Sequence, residues 1–170
     1  MHHIKIAFIL ENSVDLNQTQ RDSVQRFASN LATSINANSA LGLRSRVSVF
    51  LYGAQSTMLA SISDRATLYH FRYIISEAQL SDAHGAGAAG VRQALLDARD
   101  DLQADVVGRT SASEIQAVVL FQHNQSSSDV ISDSKSVLRW FMDAGVYTAV
   151  VGKDVYLSMC IKLCECQGFV

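Results

Sequence analysis

Proline is missing altogether from this chain of 170 residues. That removes the usual loop stiffener and leaves element boundaries to be read from the apolar pattern and from glycine. Strong charge is missing too: 14 Lys and Arg stand against 16 Asp and Glu, for a net charge of -2, with no basic run. Nothing of that kind draws in a polyanion, so nucleic acid is not an expected partner. No apolar run approaches the roughly 20 residues that span a bilayer, and Met1-His2-His3 lacks the charged-then-apolar order of a signal peptide. Membrane insertion is therefore not expected.

Catalytic signatures are absent as well. The sequence contains no Gly-x-Ser-x-Gly elbow, no phosphate loop and no His-Glu-x-x-His, and Gly87-Ala88-Ala89-Gly90 has neither the spacing nor the acidic residue of a dinucleotide site. Glycine and alanine there more simply let a helix pack close to a sheet. An enzyme is not expected; a catalytic reading would have to rest on Glu11, Asp15 and His123 forming an acid-base cluster in a cleft. Repeats, linkers and low-complexity segments are missing, so residues 1–170 read as a single domain, and 48% hydrophobic residues suffice for a full core.

The most informative segment present is residues 4–16, IKIAFILENSVDL. Ile4, Ile6, Ala7, Phe8, Ile9 and Leu10 do not alternate with polar residues, the pattern of a strand buried on both faces of a parallel sheet. The run ends abruptly in Glu11-Asn12-Ser13-Val14-Asp15, which places acidic and small polar groups at a strand's carboxyl end, where open α/β sheets bind ligands. Val24, Phe27, Ala28, Leu31 and Ile35 then recur at helical spacing on one face.

The same alternation continues. Arg46 to Gly53 reads as a strand and Thr57 to Ser63 as a short edge strand paired with it in a hairpin. Leu68, Phe71, Ile74 and Ile75 predict a helix over residues 65–78, and Val91, Ala94, Leu95, Ala98 and Leu102 predict one over 90–105. Ile115 to Phe121 is a further buried strand, followed by a helix over 129–144 that Gly145 stops with a left-handed cap. Val146 to Val151 is the next strand, Asp154 to Cys164 a short helix, and Gly168-Phe169-Val170 the opening of a last strand. Strands alternating with helices give a doubly wound, mostly parallel central sheet with one short antiparallel edge strand and helices on both faces.

The order of the IAFILENSVD strand end, the long amphipathic helix, RVSVFLYG, the Gly/Ala-rich turn before VRQALLDARDDL, AVVLFQHNQSSSDV and DAGVYTAVVG resembles a von Willebrand factor A-type domain, a Rossmann-like α/β fold, along nearly the whole chain. In texture, residues 87–152 are similar to the A-type domains of extracellular-matrix proteins such as the type VI collagen chains. The resemblance implies one further helix after the strand that begins at Phe169, and so a fragment of a larger multidomain protein.

Many members of that family hold a divalent cation through three loops at the sheet top: Asp-x-Ser-x-Ser in the first, a Thr in the second and an Asp in the third. Such an oxygen-rich surround suits magnesium. Here the first loop is Glu11-Asn12-Ser13-Val14-Asp15, residues 84–90 offer no hydroxyl, and Gln122-His123-Asn124 stands where the family shows Thr-Asp-Gly. Three readings follow. Glu11, Ser13 and Asp15 could still hold magnesium; Glu11, Asp15 and His123 could hold a borderline metal such as zinc, which imidazole favours; or the adhesion site is degenerate. In the last, which is the expectation, no cofactor is bound, Glu11 and Asp15 cap the amides of the following helix, and His123 is a solvated loop residue.

Other surfaces can then carry recognition. Tyr69, His70, Phe71, Arg72 and Tyr73 are successive, so they cannot all face the core; Phe71 and Ile74 are expected inside with the tyrosines half-buried, and the alternative is an exposed Tyr/Arg pair of the sort common at interfaces. Trp140 lies off the face formed by Val137, Leu138 and Phe141 and is expected to be partly exposed. Cys160 and Cys164 are one helical turn apart and Cys166 follows; free thiols, a disulfide to another segment and a thiolate zinc set all remain open. Asn17-Gln18-Thr19 and Asn124-Gln125-Ser126 are glycosylation sequons at Asn17 and Asn124.

With the resemblance, these features lead to the expectation of a secreted, extracellular, non-enzymatic protein-protein interaction or adhesion module that needs no metal. Its partners would be other proteins, collagen or matrix components among them, and neighbouring domains of its own chain. An intracellular A-type scaffold and a cation-dependent ligand-binding domain are the alternatives.

Overall fold

Burial on both faces makes residues 3–11 the centre of the molecule. Strand β1 (His3–Glu11) pairs in parallel with β2 (Ser45–Tyr52) on one side and β4 (Glu114–Gln122) on the other. The computed structural model describes residues 3–13, 16–37, 45–77, 89–104, 114–122, 127–152 and 158–160. In chain order the remaining elements are α1 (Gln18–Ala37), β3 (Ser56–Ala60), α2 (Phe71–Glu77), α3 (Ala89–Ala104), α4 (Ser127–Asp143), β5 (Tyr147–Gly152) and β6 (Ser158–Cys160). The sheet order is β3-β2-β1-β4-β5-β6, with β3 antiparallel to β2 as the hairpin requires.

Successive side chains of β1 feed opposite cores, as a strand's period of two dictates. Ile4, Ile6, Phe8 and Leu10 join Val47, Val49 and Leu51 beneath Ala28 and Ala32 of α1 and Phe71 and Ile75 of α2. Ala7 and Ile9 join Phe50, Val118 and Leu120 on the other face, beneath Ala94, Leu95 and Ala98 of α3 and Val137 and Phe141 of α4. The Phe8 ring lies against Phe71, with centroids 4.3 Å apart. Helices therefore cover both faces, and α1 follows β1 on one face while α4 follows β4 on the other.

Local endings follow the chemistry of their residues. At the end of α4, Gly145 takes φ 75°, its N–H bonds to the Met142 carbonyl, and the Val146 N–H bonds to the Phe141 carbonyl, the paired bonds of a left-handed helix stop. Gly90, in the first turn of α3, donates its N–H to the Gly53 carbonyl at 3.1 Å. A Cβ on Gly90 would collide with that carbonyl and lie 2.9 Å from the Gln55 oxygen, so only glycine allows the helix to sit on the β2–β3 turn.

Four expectations need correction. Residues 158–160 form an antiparallel strand on β5, where spacing suggested helix; pairing with Thr148, Ala149 and Val150 across the sheet edge overrides a weak local pattern. Strand β3 ends at Ala60, since Ser61 caps a single 3-10 turn over Ile62–Asp64, held by Asp101 of α3 through the Ser61 hydroxyl and the Ile62 N–H. The helix expected over 65–78 is regular only from Phe71; Leu68 is buried from the turn before it. Phe27 is 47% exposed, on the flank of α1, its edge toward the Phe121 ring rather than inside the core. The expected strand at Gly168-Phe169-Val170 lies outside the described residues.

Candidate functional site

The strand order places a switch point at the carboxyl ends of β1 and β4. The chain leaves β1 toward β2 and leaves β4 toward β5, over opposite faces, so the two strand ends diverge at the site where α/β sheets form ligand crevices. At this point the structure has a buried polar cluster. Glu11, Asn12 and Ser13 are each no more than 3% exposed, and Gln122 at the end of β4 is also buried.

The cluster is internally bonded. The Ser13 hydroxyl donates to Glu11 Oε1 at 3.0 Å, and the Asn12 N–H donates to the Tyr52 carbonyl at 2.7 Å. Tyr52, the last residue of β2 and completely buried, donates its phenol to the Phe121 carbonyl on β4 at 3.2 Å. Burial first, and the Glu11 carboxylate second, push the Tyr52 phenol well above its ordinary range. Tyr52 is thus a neutral hydrogen-bond donor and no proton-transfer group near neutral pH.

The start of α1 is capped by Asn17, whose Oδ1 accepts the Gln20 N–H at 3.0 Å while Gln20 Oε1 accepts the Asn17 N–H at 2.9 Å, a reciprocal capping box. The Asn-x-x-Gln spacing was the available signal. Glu11 is the last residue of β1, and its carboxylate accepts the Ser13 hydroxyl. Asp15, His123 and Asn124 lie outside the described residues, as do Cys164 and Cys166.

Among the described residues no three His, Cys, Asp or Glu side chains come together in a metal-holding group. Glu11 and Ser13 supply one carboxylate and one hydroxyl, already bonded to each other, against the six or so oxygens a hard cation takes. The described residues do not fit such an ion.

Away from the switch point, the Tyr69–Tyr73 segment is more open than expected. Phe71 is fully buried, while Tyr69 is 79% and Tyr73 66% exposed, so the tyrosines stand on the surface instead of lying half-buried across it. The Tyr69 ring meets His70 edge-on, and His70 Nδ1 accepts the Thr67 N–H at 3.3 Å. Trp140 is half-buried, its ring under the Arg99 guanidinium at 5.8 Å, which assigns it to the α3–α4 packing.

No protein-family model matches the chain, and no curated protein sequence is similar to it. Solved structures are. A manganese-loaded TRAP protein of Plasmodium vivax superimposes with a TM-score of 0.64 at 15% identity, over 98% of this chain and 64% of that one. Proximal thread matrix protein 1 of the mussel byssus superimposes with a TM-score of 0.67 at 13% identity, over 89% of this chain and 37% of that one, and a second crystal form of it gives 0.56 at 16%. The fold is that of a von Willebrand factor A-type domain. The chain spans less than two thirds of the length of each of these chains. Among its described residues no helix is long and apolar enough to cross a membrane.

Proposed function

We propose that this A-type domain is a non-enzymatic protein-interaction module of an extracellular adhesion or matrix protein, and that it engages its partner without a divalent cation. The observation that carries the reading is the buried, mutually bonded cluster at the switch point: Glu11 is occupied by Ser13, and the Tyr52 phenol by the Phe121 carbonyl. Among the described residues, a crevice filled in this way presents no charged ligand set to a partner's carboxylate. Recognition then falls to side chains that do reach solvent, foremost Tyr69 and Tyr73.

Similarity of fold to a matrix protein of the mussel byssus supports the matrix assignment at the level of architecture. The exposed sequon asparagine Asn17 supports an extracellular location, since its cap uses Oδ1 and leaves the amide nitrogen for a glycan. Surface plasmon resonance against purified collagens and other matrix proteins, in chelator and then in magnesium or manganese, tests the proposal. Binding to at least one of them, equal in both buffers, is expected; binding seen only with the cation would overturn it.

A further inference from the structure

Between α1 and α2 the surface opens into a groove of about 380 Å3. Its walls include Asp22, Arg26 and Asn30 of α1 and Arg72 of α2, with the almost fully buried Ile75 as an apolar base. Asp22 is engaged by the Gln18 amide at 2.8 Å. The two guanidinium groups are different: both arginines are exposed, and among the described residues neither has an ion-pair or hydrogen-bond partner. Tyr69 and Tyr73, on the same segment as Arg72, are also exposed.

Two forked cations over an apolar base, beside exposed aromatic rings, match a segment carrying both carboxylate and apolar side chains. Arginine binds carboxylates in a bidentate manner, and tyrosine adds contact area at little entropic cost. A highly sulfated glycan fits less well, because it is held by a long basic stripe, whereas this groove contains Asp22 as well and the chain is net negative at -2.

We propose that the α1–α2 groove is the docking site for an acidic, partly apolar peptide segment of a partner protein, with Arg26 and Arg72 taking its carboxylates. The proposal rests on the interaction-module reading above and specifies its surface and partner chemistry.

The test is a titration of the isotope-labelled protein, followed by NMR, with three probes: the blocked peptide Glu-Leu-Glu-Leu-Glu, its Gln-Leu-Gln-Leu-Gln counterpart, and a heparin hexasaccharide. Saturable shifts confined to residues 22–33 and 69–75 with the acidic peptide, and none with its glutamine counterpart, are expected. The double variant Arg26→Gln, Arg72→Gln should bind the acidic peptide at least about tenfold more weakly, as loss of two charge-assisted contacts requires, with an unchanged spectrum elsewhere showing that it folds. Shifts that map to another surface, unchanged affinity in the double variant, or heparin binding in the groove as tightly as the peptide would overturn the proposal. The two readings fail separately. If the double variant binds a matrix protein as wild type does, the groove assignment falls and the module reading stands; groove binding of the peptide without any matrix partner has the reverse meaning.

Discussion

The Tyr52 hydroxyl reaches across β1 to the main-chain carbonyl of Phe121, 3.2 Å away and 69 residues further along the chain. One side chain thereby ties β2 to β4 over the intervening strand, directly at the switch point, and leaves the phenol buried beside Glu11.

Replacing Tyr52 by Phe removes the donor and leaves a carbonyl short of a partner, at a cost of about 1–3 kcal/mol at pH 7. The pH dependence gives a second, independent readout. The folded state holds the phenol proton more tightly than the unfolded chain, so Tyr52 contributes stability that is complete below the ordinary tyrosine value of about 10 and is lost as pH rises beyond it. Urea unfolding at pH 7 to 11 should show wild type losing more stability above pH 10 than Tyr52→Phe does.

Gly90→Ala should be among the most damaging single-methyl changes in the protein. Alanine has the better helix propensity, by roughly 1 kcal/mol, but its Cβ meets the Gly53 carbonyl, and the helix must lift off the β2–β3 turn. A net loss of about 1–3 kcal/mol is expected by thermal unfolding; a gain would mean that the turn moves freely.

Asn17 separates capping from glycosylation. Asn17→Ala should cost about 1 kcal/mol through loss of the cap, whereas Asn17→Asp keeps a capping oxygen and should be nearly neutral. Expressed through a secretory pathway, wild type should carry a glycan at Asn17 by mass spectrometry, and both variants should lack it.

Asp101 is the tether between the turn after β3 and α3. It accepts both the Ser61 hydroxyl and the Ile62 N–H, the latter at 3.0 Å. Asp101→Ala should lose about 1.5–3 kcal/mol, as for hydrogen bonds to a charged acceptor, and amide exchange at Ile62 should rise ahead of that in β2.

The fold was legible wherever burial alone decides conformation. The unalternating runs of β1 and β4 announce strands packed on both faces, and Val91, Ala94, Leu95, Ala98 and Leu102 all face the core from α3. Periodicity reports which side chains are buried, though, and says less about backbone bonding. Leu68, Phe71 and Ile75 are buried as their spacing requires, yet only residues from Phe71 onward are helical. The polar cluster was half legible. Glu11 and Ser13 stood out at a strand end, whereas Tyr52 did not, because its partner is remote in sequence and a tyrosine closing a strand is ordinary. Arg26 was equally silent, since its position opposite Arg72 exists only once α1 and α2 pack side by side.

The central claim, recognition without a cation, is tested most directly by the thermal midpoint of the domain in chelator and then with magnesium, manganese, calcium or zinc added singly. A cation bound to the native state at 100 times its dissociation constant would add about 2.7 kcal/mol, a rise of about 5–10 °C for a domain of this size. The account predicts no rise with any of the four. A rise with magnesium or manganese would contradict it, by showing that Glu11, Ser13 and Asp15 still assemble a metal site at the top of the sheet.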